Sequence, residues 1–273
     1  MTRDGDRNGA APAGMHDSEL MARACTVVSR SHTNVADSPD DWTQSVASDL
    51  CDLIDGRVGV MAMIAQWDDL ELRWDTVSLG LAGAYPEGAV RSVQEQARAG
   101  WPDDDFSRTV GHAGPVPRTA CGGRDRLLGD ALWRGCALAK FRSSIGLHDF
   151  ARAIVPFDDP SGVRVMVLQV DGVTPVWRAS TQVVSTLGCI LQPAMEAFVA
   201  RFVEPRRVRG RLLEGLSPMQ RRIAPMLAEG LTEADIAERV HRSAHTVHDH
   251  TRSIYRTLGV NSRRELRDLW LGR

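Results

Sequence analysis

The 273-residue sequence lacks the features that mark several classes of protein. It contains no run of about eighteen apolar residues, which predicts that no segment spans a membrane. No apolar stretch of the secretory type occurs near the N-terminus, so we interpret residues 1–19 as a disordered leader and expect a cytoplasmic protein. Glycine-rich phosphate loops, GxSxG and HExxH are absent, and the acidic pairs lie beside loop residues. We therefore predict no enzymatic activity and no cofactor.

Cysteine and lysine are both scarce. The five cysteines are odd in number and form no CxxC pair, which argues against a disulfide framework or a zinc–thiolate site. Cys189 stands between Leu187 and Leu191 in an apolar helical pattern, so we expect a buried, inert thiol there. The one lysine, Lys140, lies in a helical stretch and does not fit the position that a phospho-receiver domain requires.

The net charge of −2 conceals an uneven distribution. Residues 206–273 contain 14 arginines against 8 acidic residues, a charge of +6, and the rest of the chain carries −8. A basic C-terminal segment on an acidic body indicates one module for a polyanion and another for a different task. A solvated basic tail would give the same count, so the charge alone does not decide between them.

Residues 20–203 show alternating helical and strand patterns. We predict helices over 40–54, 89–99, 130–141 and 177–203, strands over 58–66, 71–79, 150–157 and 163–170, and a loop over 100–125. Pro193 should kink the last helix. The order of elements suggests an α+β domain of the GAF or PAS type, with a sensory or dimerisation role. Four tryptophans suit either a core or a cavity for an unidentified small molecule: Trp67, Trp74, Trp101 and Trp133.

The C-terminal segment has a more specific pattern. Residues 204–213 are rich in arginine and are interpreted as a linker, and residues 214–273 contain four short apolar-periodic stretches. Each stretch follows a residue that commonly caps a helix: Ser217, Thr232, Ser243 and Ser262. A tight turn separates the second and third. The sequence therefore predicts an all-α tetrahelical helix-turn-helix domain, whose third helix would enter the major groove of double-stranded DNA.

The third predicted helix, Ser243–Leu258, carries the candidate DNA-binding residues. With Val247, Ile254 and Leu258 turned inward, four polar side chains lie on outward faces: His248, Asp249, Arg252 and Arg256. His245 and Thr246 occupy the first turn, where backbone N–H groups can receive a phosphate. Four histidines lie close together in the sequence, but His241 precedes the helix, and the other three are expected to point in different directions around it, so no metal site is expected: His245, His248 and His250.

A set of spaced residues resembles the LuxR/GerE DNA-binding domain. They are Leu216-Ser217-Pro218, Leu227-Ala228-Glu229-Gly230, Ile236-Ala237, Thr246-Val247, His250, Ile254-Tyr255, Leu258-Gly259-Val260, Ser262-Arg263 and Glu265-Leu266. The resemblance implies a homodimer that reads inverted half-sites, with the fourth helix contributing Leu266, Leu269 and Trp270 to the dimer interface. It also implies that Thr246 and His250 fix the phosphate backbone while His248, Asp249 and Arg252 face base edges. Arg252 would pair with guanine and Asp249 with cytosine.

The sequence departs from this pattern at several positions. His248 and Thr257 stand where the family usually carries basic residues, Arg222 replaces an acidic residue, and Glu233-Ala234-Asp235 replaces Asn-Lys-Glu. Fewer phosphate-facing cations predict weaker DNA binding at neutral pH, and protonation of His248 should restore one cation. Two hypotheses remain: a one-component transcription factor, and a protein–protein interaction regulator whose helix-turn-helix no longer binds DNA.

Overall fold

The computed structural model describes residues 17–54, 58–68, 70–71, 73–102 and 118–271. The chain divides into two compact units, Met1–Phe198 and Val199–Arg273. The predicted leader lies outside the described residues as far as residue 16, and residues 17–19 already belong to the first helix.

The N-terminal unit is an α+β domain, as the sequence predicts. Its described helices are α1 Asp17–Thr33, α2 Pro39–Ile54, α3 Ala89–Ala99, α4 Arg124–Leu127, α5 Gly129–Gly135, α6 Ala137–Ser144 and α7 Thr181–Phe198. Its described strands are β1 Gly59–Asp68, β2 Arg73–Gly83, β3 Trp101–Pro102, β4 Ala120–Gly123, β5 Asp149–Asp159 and β6 Gly162–Gly172.

The strands form one antiparallel sheet in the order β3-β2-β1-β6-β5-β4. Two long hairpins, β1–β2 and β5–β6, supply its centre, and β1 pairs with β6 between them. The predicted turn between β5 and β6 is present, with Gly162 at φ +125°, a conformation that favours glycine. The short strands β3 and β4 form the two edges.

Both faces of the sheet are covered, because alternate residues of β1 are buried on each side. Met61, Met63 and Ala65 belong to a core cluster that also contains Trp74 of β2 and Trp101 of β3. Trp67 and Trp133 pack against this cluster, so all four tryptophans of the predicted set contribute to a core. Helices α2 and α7 contact the sheet through β1 and β2 and through β5 and β6, respectively.

Several predicted boundaries were wrong. The predicted loop 100–125 contains β3 and β4 at its ends, and residues 103–117 lie outside the described residues. The predicted helix 130–141 is two helices, because Cys136 adopts an extended conformation with ψ 154° between α5 and α6. The predicted helix 177–203 begins at Thr181, keeps Pro193 within α7, and gives way to a π-helix over Val199–Val203.

Among the described residues one helical stretch, Thr181–Glu214, is long and apolar enough to cross a membrane by length and composition alone. Many of its apolar side chains have another explanation, because Leu187, Ile190 and Leu191 are buried in the core of the N-terminal unit. A helix that is covered by protein on one side needs an apolar face for that reason. Its composition is therefore weak evidence for a membrane span.

The C-terminal unit consists of helices in its described residues. After the π-helix come α8 Glu204–Glu214, α9 Pro218–Ala228, α10 Glu233–Val240, α11 Ala244–Leu258 and α12 Arg263–Leu271. The residues that we interpreted as a linker are thus helical, in α8. The four helices α9–α12 pack around one core whose fully buried members include Ile223, Ile236, Val247, Ile254 and Leu266.

Candidate nucleic-acid interface

The predicted caps define the start of each helix around the candidate interface. Ser217 forms a capping box with Gln220 at the start of α9, and Thr232 forms one with Asp235 at the start of α10. Hydrogen bonds from the hydroxyl and backbone N–H of Thr232 lower the pKa of Asp235, because they stabilise its charged form. Helix α11 begins after Ser243, whose Oγ accepts a hydrogen bond from the Thr246 N–H at 3.1 Å.

The turn between α10 and α11 depends on a residue in the left-handed region. His241 has φ +54° and ψ +53°, and it is the only residue other than glycine with positive φ in the described part of the chain. Its N–H bonds to the carbonyl of Glu238, and the next N–H, of Arg242, bonds to Ala237. These bonds close the end of α10 and allow α11 to start within three residues.

One exposed row of polar side chains runs along α11. His245, His248, Asp249, Arg252 and Arg256 are spaced so that each lies three or four positions from at least one other, which places them on one side of the helix, and all five are exposed. The opposite face is buried through Val247, Thr251 and Ile254. We call these five exposed residues the polar row. A helix that packs on its own domain through one face and exposes charged side chains on the other can contact another macromolecule while the domain stays folded.

Both histidines of the polar row lie beside carboxylates. The Nδ1 atom of His248 is 3.2 Å from Oε2 of Glu233, at the start of α10, and Nε2 of His245 is 3.7 Å from Oδ2 of Asp249. The side chains remain well exposed, at 51% for His248 and 86% for His245. Each contact becomes an ion pair only when the imidazole is protonated.

The remaining candidate residues flank the polar row. Thr246 and His250 are half-buried, and the Thr246 hydroxyl lies 2.8 Å from Oγ of Ser243. Ser253 is joined to α9, since its Oγ accepts a hydrogen bond of 2.9 Å from Gln220 Nε2. Among the described residues no three His, Cys, Asp or Glu side chains come together as a metal site would require.

The residues predicted for a dimer interface do not share one environment. Leu266 is fully buried in the core of its own domain, so it has no surface for a partner, and its assignment to an interface is corrected. The reason is that α12 uses this residue to close the four-helix core. Leu269 and Trp270 are half-buried, and Trp270 is covered in part by Arg209 of α8, whose guanidinium lies 5.6 Å from the indole ring.

A comparison with protein families decides the nature of this domain. Residues 214–269 match the family described as bacterial regulatory proteins, luxR family. Residues 214–269 are a LuxR-family domain. The match covers helices α9–α11 and most of α12, and it leaves the N-terminal unit unassigned. No curated protein matches the chain as a relative.

Three solved structures show distant similarity to the chain. Escherichia coli SdiA is 12% identical with a TM-score of 0.38, over 93% of this chain and 98% of that one. CepR2 of Burkholderia cenocepacia, an N-acylhomoserine lactone dependent LuxR family factor, is 16% identical with a TM-score of 0.36, over 70% and 96%. A GAF domain from a phosphotransferase of Coxiella burnetii is 11% identical with a TM-score of 0.41, over 68% and 97%. Similarity at this level carries no inference about the present chain.

The contact between Glu233 and His248 in the LuxR-family domain was not predicted from the sequence. Glu233 stands in the segment that departs from the family pattern, and its side chain contacts His248, which lies 15 positions further on. No periodicity within one helix links positions so far apart. Only the packing of α10 against α11 brings them together.

Proposed function

We propose that the protein is a transcription regulator that binds double-stranded DNA as a homodimer through the polar row of α11. The observation that carries this proposal is the polar row itself, on the second helix of a helix-turn-helix in a LuxR-family domain. Arg252 lies in the middle of the row and would pair with guanine, and Asp249 would accept a hydrogen bond from a cytosine amino group. Ser243, His245, Thr246, His250 and Arg256 would contact the phosphate backbone or neighbouring base edges.

The N-terminal unit would serve as a sensory or dimerisation domain for an unidentified small molecule. The protein would act in the cytoplasm, where the chromosome lies. The distribution of charge supports the assignment of DNA binding to the C-terminal unit, since the basic residues are concentrated after position 205. Leu269 and Trp270 remain candidates for the dimer interface. Light scattering of the full chain tests the homodimer directly, and a monomeric mass would contradict it.

The DNA-binding proposal is tested by fluorescence anisotropy of the full chain on labelled fragments of genomic DNA at several salt concentrations. Arg252→Ala should weaken binding and reduce the preference for one DNA sequence over others, because Arg252 is placed against a base edge. On a preferred site it should cost about 1–3 kcal/mol. Arg222→Ala is the matched control, because Arg222 is an exposed arginine of α9 outside the polar row. Equal losses in both variants would mean that charge alone, and not the polar row, holds DNA.

A protein–protein interaction regulator remains the second candidate. The observation in its favour is that His248 and Thr257 replace basic residues. In addition, Asp249 within the polar row and Glu233 beside it add negative charge. Absence of binding by the wild-type chain even at low salt would support this second function and would reject the first.

A further inference from the structure

A groove lies on the N-terminal unit, at the outer edge of strand β2. Its floor is formed by Thr76–Leu79. One wall is Asp40, at the start of α2, and the other consists of three residues from the middle and end of α3: Gln94, Ala97 and Arg98. The volume of the groove is about 380 Å³, which is enough for a small organic molecule. We call this feature the edge groove.

The floor of the edge groove contains an irregularity of the sheet. Val77 has no partner in the pairing of β2 with β1, because Thr76 and Ser78 face consecutive residues of β1. The extra residue of such a β-bulge is left out of the hydrogen-bonded ladder, and bulges are frequent beside functional sites. On its outer side β2 pairs with β3 only through Arg73 and Trp74. The described sheet therefore places no strand on the outer side of Val77.

Helix α2 covers the next part of the same strand edge. Asp40 Oδ1 accepts a hydrogen bond of 3.3 Å from the Leu79 N–H. Gln44 bonds both polar groups of Leu81, since its Oε1 accepts from the N–H at 3.1 Å and its Nε2 donates to the carbonyl at 2.9 Å. Native proteins commonly protect exposed strand edges by covering them. Among the described residues this cover ends at Leu79, so the edge at residues 76–78 stays accessible from the groove.

Two side chains of opposite charge stand on the two walls. The Asp40 carboxylate is held through one oxygen by the Leu79 N–H, and its other oxygen, Oδ2, has no hydrogen-bond partner among the described residues. Arg98 likewise forms no ion pair with a described residue, whereas Arg91 of the same helix pairs with Glu95 at 2.8 Å. The guanidinium group of arginine stays charged in proteins. A ligand in the edge groove would meet a negative group on one wall and a positive group on the other.

We propose that the edge groove binds a free α-amino acid with an apolar side chain, whose ammonium group pairs with Asp40 and whose carboxylate pairs with Arg98. A planar guanidinium suits a carboxylate in geometry as well as in charge, and an ammonium group donates three hydrogen bonds. Val77, Leu79 and Ala97 supply apolar surface for the side chain.

A molecule with both charges is required because each exposed ion pair is weak by itself. A simple anion or cation would satisfy only one wall. The inference rests on the sensory role proposed above for the N-terminal unit, and it names the chemical class of the ligand. It does not depend on DNA binding, because all the residues of the edge groove belong to the first unit.

The test is thermal unfolding of the full chain, followed by tryptophan fluorescence. Six of the seven tryptophans lie in the N-terminal unit, so the signal reports mainly on that unit. L-leucine and L-alanine are titrated at constant ionic strength beside two analogues of leucine: isopentylamine, which lacks the carboxylate, and isocaproate, which lacks the ammonium group. L-leucine, and more weakly L-alanine, should raise the midpoint in a saturable manner, by about 3–6 °C at ten times the dissociation constant. Neither analogue should reproduce the shift at the same concentration.

Two variants link the shift to the walls of the groove. Asp40→Asn keeps an oxygen for the Leu79 N–H but loses the charge, and Arg98→Gln removes the guanidinium, so each should weaken the binding of L-leucine at least tenfold. Asp41→Asn and Arg91→Gln are the matched controls, because they change residues of the same charge on the same two helices outside the groove lining. All four side chains are exposed, so the variants should fold and the controls should bind as the wild type.

Four results would overturn the proposal: no saturable shift with either amino acid, an equal shift with either analogue, an unchanged response in the two wall variants, or an equal loss in the controls. The wild-type titrations decide by themselves if a variant does not fold. DNA binding is measured in a separate anisotropy experiment without amino acid, so either proposal can fail while the other holds.

Discussion

The contacts of His245 and His248 with carboxylates predict that DNA affinity depends on pH. With both histidines neutral, the charged groups of the polar row and its neighbour are Arg252, Arg256, Asp249 and Glu233, which balance to zero. With both protonated, the same surface carries two positive charges. Histidine is the side chain whose charge ordinarily changes nearest to neutral pH, so the affinities in slightly acidic and slightly alkaline buffer are compared.

The size of the effect follows from counterion release. For each cation that neutralises a phosphate, the binding constant varies as the salt concentration to the power of about −0.9. One such cation therefore makes the binding constant about eightfold larger at 0.1 M salt than at 1 M salt. Two cations give an upper limit of about 60-fold. Each histidine lies within 4 Å of a carboxylate, which neutralises part of the added positive charge. We therefore expect the DNA affinity to rise by about eightfold, the value for one cation, rather than by about 60-fold.

The assay is anisotropy with fixed DNA and 0.1 M salt from pH 5.5 to 8.5, with salt titrations at both ends. Affinity should rise as the pH falls, and the salt slope should steepen. The double variant His245→Gln/His248→Gln should bind with little dependence on pH. His32→Gln, in α1 of the other unit, should behave as the wild type. A flat wild-type profile, or a dependence that persists in the double variant, would refute the reasoning.

Three further predictions concern the stability of the C-terminal unit. Ile254→Ala should destabilise it by about 2–5 kcal/mol in urea unfolding, because Ile254 is fully buried among the four helices, and a cost below about 1 kcal/mol would contradict that packing. Ser243→Ala should cost about 1 kcal/mol by removing the cap of α11, whereas the hydroxyl-conserving Ser243→Thr should cost less. Hydrogen bonds lower the pKa values of Asp235 and Glu265, and for Glu265 the Asn261 N–H contributes most. Their stabilising effect is therefore complete above about pH 5 and should fade as the pH falls further. Circular dichroism should show this loss, and Asp235→Asn should reduce it.

The C-terminal domain could be predicted from the sequence because its signals are local. Caps at Ser217, Thr232 and Ser243 each lie beside the helix that they start, and the buried faces repeat every three or four residues. The same reasoning failed where a residue's environment depends on other elements. Cys189, expected to be buried between Leu187 and Leu191, is exposed, because a residue two positions along a helix points about 200° away.

The buried hydrogen bond between Arg152 and Gln169 was not predicted, although one signal was present. Arg152 interrupts an otherwise apolar strand, and a charged residue in such a place needs a partner. The partner, Gln169, lies directly opposite on β6, and a register between strands cannot be obtained from the pattern of either one alone. Leu266 was misassigned for a similar reason, because the packing of the four helices determines which side of α12 is buried.

The short outer strands limit how copies of this chain can associate. The sheet ends in β3, with two residues, and β4, with four. A strand of this length offers very few free peptide groups to the backbone of another molecule, so pairing of sheets between copies is disfavoured. As far as the described residues extend, contacts between side chains are therefore a better route to self-association than pairing of β3 or β4. Such contacts are reversible and can be adjusted one residue at a time, which would suit the homodimer proposed above.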